Sequence, residues 1–261
     1  KSESTGVACG ANSPPLILAL GGGGRLVALG WLDSLHVFSR AEEGQPLVPT
    51  PLAPTGVVRS LCIDPTGRFL LSGGDDKTVR AWDLGSHTML GSWVHSKKIG
   101  CVAFAPDSEG TNGIGLFADK FGEVFTVNLK DFGAAPVLKL GHLSPVSHLV
   151  FTPSGRNLIT CDREGHVRAS VWPHSDIIDR YFMAHKTSLQ VVLPLVTAPL
   201  LFTTTVNGAE VCIWELETAI CLEQYSAADL RDSMDGRAAR PGDQAITVRC
   251  ACECVDRGMI A

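Results

Sequence analysis

Short apolar runs alternate with polar turns along most of this chain, and their length and composition indicate β-strands rather than helices. Five segments share one pattern, in which an apolar residue stands three places before the end: DSLHVF (33–38), DKTVRAW (76–82), GEVFTV (122–127), GHVRAS (165–170) and AEVCIW (209–214). The shared residues are Leu35, Val79, Val124, Val167 and Val211, and their successive spacings are 44, 45, 43 and 44 residues. This regularity predicts one structural unit repeated along the chain.

Each unit reads as four short strands. In the second unit an apolar strand (57–63) is followed by the turn Asp64-Pro65-Thr66-Gly67, a second strand FLLSGG, a tight polar turn and a third strand ending at Trp82. A weaker fourth strand leads out. Four strands in a period of about 40 to 45 residues are typical of a β-propeller blade. We therefore predict an all-β propeller with about five blades and the start of a sixth, as a fragment of a seven-bladed ring.

The predicted domain organisation is a single propeller domain over residues 1–261. Its blades are placed at about 6–45, 56–95, 98–142, 145–185 and 189–225, with an incomplete sixth at 245–261. A Pro-rich linker is predicted at 46–56 and an inserted loop at 226–244. A seven-bladed ring needs about 300 residues at this period, so the ring is expected to be unclosed. The absence of an initial Met also suggests a fragment.

Composition narrows the possible functions. The chain is 45% apolar with a formal net charge of −5, which argues against a stand-alone nucleic-acid binder because phosphate binding depends on Lys and Arg. No apolar run is long enough for a membrane span, and no secretion signal is apparent. No common catalytic motif occurs, so we predict that the chain is not an enzyme. The glycines at 21–24 are interpreted as a hairpin turn, with a phosphate-binding loop as the weaker alternative.

The cysteines and histidines have mainly structural interpretations. Most of the nine Cys lie in strand-like runs, which favours buried thiols in a reducing compartment. Cys250, Cys252 and Cys254 share one strand face, so a metal site there is the alternative. The histidines at positions 95, 142 and 185 recur where units begin, and we predict that each fastens a loop to a strand by a hydrogen bond.

A charged cluster distinguishes the third and fourth units: Lys120, Asp162, Arg163, Glu164 and Arg168. Lys120 and Arg163 each follow an Asp that ends a second strand, so both are expected at the same rim of adjacent blades. Arg168 lies on a third strand, where it is either held by Asp162 or Glu164 or presented to a partner. The cluster is interpreted either as ordinary solvated charge or as a partner-binding surface.

Two levels of resemblance add to this interpretation. The segment Leu71–Asp83 resembles the WD-repeat signature. Three further blocks together look like the WD-repeat non-catalytic subunit of the tRNA 7-methylguanosine methyltransferase: Ala118–Val124 (ADKFGEV), Leu140–Ser144 (LGHLS), and Asp162–Glu164 with Val167–Ser170 and Pro173. The chain departs from the family pattern at Gly165, His166, Ala169 and Ala184.

This resemblance implies a nuclear heterodimer, with a cytoplasmic pool as a further possibility. A separate catalytic subunit would bind S-adenosylmethionine and methylate a guanosine in the tRNA variable loop. The propeller would bind no cofactor, contact the partner through the five charged residues above, and touch tRNA indirectly or weakly. The alternatives are a general WD-repeat adaptor in ubiquitin ligation or ribosome assembly and, more remotely, a hydrolase that uses the propeller channel.

Overall fold

Strands account for most of the computed structural model of the chain, which describes residues 17–21, 26–31, 34–39, 48–52, 56–106, 113–206, 210–226, 229, 253–254 and 259–260. Five antiparallel sheets of four strands follow one another, each with its strands in sequence order. The first sheet comprises β1 to β4, at Ile17–Gly21, Leu26–Trp31, Ser34–Ser39 and Val48–Leu52. The second comprises β5 to β8, at Val58–Ile63, Phe69–Gly74, Thr78–Asp83 and Thr88–Val94.

The remaining sheets repeat this arrangement. The third comprises β9 to β12, at Ile99–Phe104, Ile114–Asp119, Glu123–Asn128 and Val137–Gly141. The fourth comprises β13 to β16, at Val146–Phe151, Asn157–Asp162, Val167–Val171 and Ile178–Phe182. The fifth comprises β17 to β20, at Leu189–Pro194, Leu200–Thr205, Glu210–Glu215 and Cys221–Ser226. A separate pair joins β21 (Glu253–Cys254) to β22 (Met259–Ile260).

The first strands of successive sheets lie against each other, β1 on β5, β5 on β9, β9 on β13 and β13 on β17. Each sheet is therefore a propeller blade whose first strand is innermost and whose fourth strand is outermost. The second strands β6, β10, β14 and β18 are buried on both faces, because each sheet packs between two neighbours. Four apolar clusters fill the spaces between consecutive sheets. The predicted all-β propeller is confirmed.

One predicted segment is corrected by the structure. The Pro-rich residues 46–56 were predicted to be a linker, but Val48–Leu52 form β4, the outermost strand of the first sheet. Pro49 and Pro51 lie opposite Phe38 and His36. Pro has no backbone N–H to donate. An edge strand tolerates it where that position faces solvent, because no neighbouring strand needs the missing hydrogen bond. The predicted loop at 226–244 and sixth unit at 245–261 fall largely outside the described residues, and the other boundaries remain predictions.

Candidate functional site

The antiparallel order of the strands divides the connections between two rims of the propeller. The first rim carries the turns between second and third strands, together with the links from each fourth strand to the next sheet. The second rim carries the other turns. Lys120, Arg163 and Glu164 all lie in turns of the first rim, between β10 and β11 and between β14 and β15.

A buried Asp organises each of these two turns. Asp119 is inaccessible to solvent, and its Oδ1 accepts hydrogen bonds from the amides of Phe121 (2.8 Å) and Glu123 (3.1 Å). In the next sheet Oδ1 of Asp162 accepts from the amides of Glu164 (2.9 Å) and His166 (3.0 Å). The two turns are thus built in the same way on neighbouring blades.

The link that enters each sheet is fastened to the same turn. The Lys120 amide donates to the Lys98 carbonyl, and the Arg163 amide donates to the Pro145 carbonyl, both at 3.0 Å. The backbone of each turn is therefore fixed while the side chains at 120 and 163 remain free to point outward.

Glycine is required at the third position after each Asp. Gly122 and Gly165 have φ values of 91° and 87°, in the left-handed region that disfavours side chains. A Cβ at Gly165 would lie 2.5 Å from the Thr187 carbonyl oxygen, and one at Gly122 would lie 2.5 Å from the Ser144 carbonyl oxygen. The turns thus pack closely against the links that lead to the following sheets.

The predicted fastening role of the three histidines is confirmed. His95 Nε2 lies 3.1 Å from Asp119 Oδ2, and His142 Nε2 lies 2.7 Å from Thr160 Oγ1. In the fifth sheet Thr203 Oγ1 lies 2.8 Å from His185 Nε2 and accepts from Trp214 Nε1 at 2.8 Å. Each histidine therefore joins an incoming link to a buried strand.

Asp162 has more hydrogen-bond partners than any other predicted site residue. Its Oδ2 lies 3.3 Å from His142 Nδ1 and 3.0 Å from His166 Nδ1. Burial alone would raise the pKa of Asp162, but the hydrogen bonds from His166, His142 and Glu164 lower it. Burial, reinforced by the positive charge of Arg168, lowers the pKa of His142 to about 4. The pair is a carboxylate beside a neutral imidazole at pH 7, and its role is to hold the turn.

The structure separates the five predicted site residues into two groups. Lys120, Arg163 and Glu164 are exposed on equivalent turns of neighbouring sheets. Within the described ranges, no hydrogen bond or ion pair involves the side-chain nitrogens of Lys120 or Arg163. The equivalent residue of the second sheet, Asp75, is instead bound by Arg59 (2.8 Å) and Lys98 (3.0 Å). Asp162 is buried and Arg168 is half-buried, so both act from inside the surface.

Of the two expectations for Arg168, the one that paired it with Asp162 or Glu164 was wrong. Its Nη2 donates to the Gly141 carbonyl at 2.8 Å, at the end of the third sheet, instead of binding Asp162 or Glu164. Asp162 is already occupied by backbone amides and two imidazoles. Arg80, at the equivalent position of β7, pairs with Asp76 at 2.6 Å. Arg168 therefore supports the Gly141–Ser144 link.

Sequence reasoning missed the apolar part of this surface. The Phe121 side chain is 62% exposed at the tip of its turn, and Lys97 Nζ lies 4.3 Å from the centre of its ring. Leu143 is fully exposed on the neighbouring link. An aromatic residue between Lys120 and Gly122, in a turn that is otherwise polar, was the available signal. We call Lys97, Lys120, Phe121, Leu143 and Arg163 the rim patch.

Other candidate chemistry gains no support from the described part of the chain. Within it, no three His, Cys, Asp or Glu side chains are grouped to hold a metal ion, and no helix is long and apolar enough to cross a membrane. The five cysteines at 62, 101, 161, 212 and 221 are free and buried or half-buried, and burial raises the pKa of the Cys161 thiol to about 12. Cys250 and Cys252 lie outside the described residues, as do residues 22–25 of the glycine-rich turn.

Comparison with known proteins agrees with the repeat architecture. The family model of the WD domain, G-beta repeat, matches residues 48–83 and 135–169. A chain in the crystal structure of the mitotic checkpoint complex superposes with a TM-score of 0.68 and 19% identity, covering 81% of this chain and 65% of that one. At this identity the likeness concerns the fold alone.

Curated relatives share one description. The tRNA (guanine-N(7)-)-methyltransferase non-catalytic subunit wuho of Drosophila mojavensis is 39% identical over 85 residues, 33% of this chain and 21% of that protein. The subunit of the same description named wdr4 in Xenopus laevis is 28% identical over 167 residues, 62% of this chain and 40% of that protein. The chain thus matches less than half the length of each.

Proposed function

Because the chain is a WD40-repeat propeller homologous to proteins named as non-catalytic subunits of tRNA (guanine-N(7)-)-methyltransferase, we propose that it binds and stabilises the catalytic subunit of such an enzyme. Its role is that of a scaffold without catalytic chemistry of its own.

The rim patch is the proposed docking site for the catalytic subunit. Two cations, Lys120 and Arg163, stand unpaired on rigid equivalent turns, next to exposed Phe121 and Leu143. A few residues supply most of the binding free energy in protein interfaces, and aromatic and Arg side chains are enriched among them. The charges around them steer association. The patch is therefore suited to a partner surface with an apolar depression bordered by Asp or Glu.

The remaining chemistry belongs to the partner in this proposal. The catalytic subunit binds S-adenosylmethionine and supplies most contacts to tRNA, whose variable-loop guanosine it methylates. The net charge of −5 suits a subunit that touches tRNA only weakly. The nucleus, where the family is expected, is the proposed location of the complex.

Quantitative co-purification with the catalytic subunit from the same organism tests the proposal. The variant Lys120→Asp/Arg163→Asp gives both turns the charge that Asp75 gives the second sheet, and we expect affinity to fall roughly tenfold to a hundredfold. Phe121→Ala is expected to weaken binding about tenfold because it removes an interface anchor. We expect binding of the chain to raise the melting temperature of the catalytic subunit. In both variants this increase should become smaller in proportion to the loss of affinity.

The control is Lys130→Glu, which reverses the charge of an exposed cation on the second rim. We expect it to bind the catalytic subunit like the unchanged chain. Equal weakening by the control would remove the rim patch as the docking site. If the chain bound no methyltransferase and bound a ubiquitin ligase or ribosome assembly factor, the scaffold function itself would be replaced by the adaptor function.

A further inference from the structure

A cavity of about 730 Å³ opens on the second rim between the fourth and fifth sheets. The fourth sheet lines it with the turn 152–157 and with Val171, Asp179 and Arg180. The fifth sheet contributes the turn 195–199, Leu216 and Glu217. The cavity lies at the opposite end of the sheets from the rim patch, so it is independent of the proposed docking site.

The equivalent space between the second and third sheets is filled by an aromatic ring. Phe132, in the turn between β11 and β12, lies where a side chain on Gly91 would stand, and its ring centre is 5.0 Å from that of Trp93. Gly91 is paired with Ala81, and Phe69 begins the second strand of the same sheet. Glycine and a ring from the next blade thus close the second rim at this junction.

The residues that close that junction are replaced at the cavity. Arg180, paired with Ala169, takes the place of Gly91, and Asn157 takes the place of Phe69. Ala219 stands three residues after Leu216, as Phe132 stands three residues after Leu129. A space that is filled by an aromatic ring in one junction is therefore open and polar-walled in the other.

The polar wall is held in a fixed geometry. Asp179 Oδ2 accepts from Asn157 Nδ2 at 2.9 Å and from Arg180 Nε at 3.0 Å. Arg180 Nη1 donates to the Leu216 carbonyl at 2.7 Å, which bridges the two sheets. A planar guanidinium held on both sides is a good stacking surface for an aromatic ring.

Two side chains of opposite charge stand on opposite sides of the cavity mouth. Arg156 is exposed on the fourth-sheet side, with no ion pair among the described residues, and Glu217 stands on the fifth-sheet side. We propose that the cavity binds a short peptide segment of another protein, whose aromatic side chain enters the cavity and stacks on the Arg180 guanidinium. An acidic residue beside the aromatic one meets Arg156.

The test uses a probe taken from this molecule. The acetylated and amidated pentapeptide Lys-Asp-Phe-Gly-Ala, the sequence of residues 130–134, is titrated into the full chain with ¹³C-labelled Leu and Val methyl groups. We expect saturable shifts of the Val171, Leu195 and Leu216 methyl signals and none on the first rim. The same peptide with Ala in place of Phe should produce no shifts.

Two variants separate the cavity from other surfaces. Ala198→Trp fills the cavity and should abolish the shifts. Arg156→Glu, which changes an exposed side chain and leaves the fold intact, should weaken binding about two- to fivefold. Shifts that persist with the Phe-free peptide, or an Arg156→Glu variant that binds as well as the original chain, would overturn the proposal. Stronger shifts of the same methyl signals by a single-stranded RNA tetranucleotide would also overturn it, since the cavity would then recognise a nucleobase.

Discussion

The junction between the second and third sheets and the junction between the fourth and fifth sheets share a backbone register. They differ in chemistry inside the blades and at the second rim. Inside the blades, the earlier junction stacks Phe117 on Phe125, with ring centres 5.2 Å apart. The later junction joins Trp214 to Thr203 by a hydrogen bond of 2.8 Å. At the second rim, Phe132 closes the earlier junction and the cavity opens the later one.

This difference shows which part of the molecule determines which property. The backbone ladders position the sheets equally well at both junctions, so the architecture does not require one particular filling. Filled, apolar ends contribute stability, whereas polar and open ends leave places where another molecule can bind. The following substitutions break or sharpen this contrast.

Trp214→Ala should produce the largest effect. It removes a fully buried indole from the later junction and leaves the Thr203 hydroxyl with one partner fewer. We expect the free energy of unfolding, measured with urea, to fall by about 3–5 kcal/mol. Val127→Ala, at the equivalent position of the earlier junction, should cost about 2 kcal/mol. Equal losses would mean that the indole hydrogen bond does not distinguish the two junctions.

The junction between the third and fourth sheets sharpens the contrast through pH, because its first-rim layer is the His142–Asp162 pair. The folded pKa of His142 is lowered to about 4 from 6.5, so between these values the unfolded chain binds a proton that the folded chain does not. Stability from this group is therefore present above pH 6.5 and is lost as the pH falls towards 4. The expected loss is about 3 kcal/mol.

The measurement is urea denaturation from pH 7 to pH 4.5. His142→Gln should flatten the dependence, while His174→Gln, an exposed change on the second rim, should leave it intact. Part of the slope will remain, since burial also lowers the pKa values of His148 and His185. An unchanged slope in His142→Gln would rule out this pair as its source.

Gly91→Ala should have an intermediate effect at the filled junction. Its new methyl group collides with the Phe132 ring, and overpacking of this kind costs about 1–3 kcal/mol. In a Phe132→Ala background the same change should cost much less, since the colliding ring is absent. Additive costs in the double variant would show that Phe132 does not close the junction.

Ala198→Leu should have the smallest effect, because the open cavity receives the added atoms without displacing a neighbour. The expected change in the free energy of unfolding is within about 0.5 kcal/mol. A melting temperature lowered as much as in Gly91→Ala would mean that the later junction is as tightly packed as the earlier one.

The repeat could be predicted from sequence because it depends on local pattern. The regular spacing of Leu35, Val79, Val124, Val167 and Val211 predicted the five sheets, and the Asp before Lys120 and Arg163 predicted their shared rim. Prolines concealed β4, since their exclusion from strands does not hold at a sheet edge.

The features that could not be predicted from the sequence depend on contacts between sheets. Arg168 binds a carbonyl 27 residues away, at the end of the preceding blade, and no local pattern specifies that contact. Likewise, Arg180 takes the place of Gly91 only once the register of each fourth strand is known, including the irregularity beside Ala169. The cavity is thus a consequence of tertiary packing and has no sequence signature of its own.

The backbone hydrogen bonds that fasten the turns of the first rim have an evolutionary consequence. The Lys120 and Arg163 amides, not their side chains, hold the turns to Lys98 and Pro145. Since every amino acid except Pro has an amide N–H, mutation can replace the residues at 120 and 163 without loss of these hydrogen bonds. Partner preference can therefore drift, residue by residue, in lineages that retain the same folded framework.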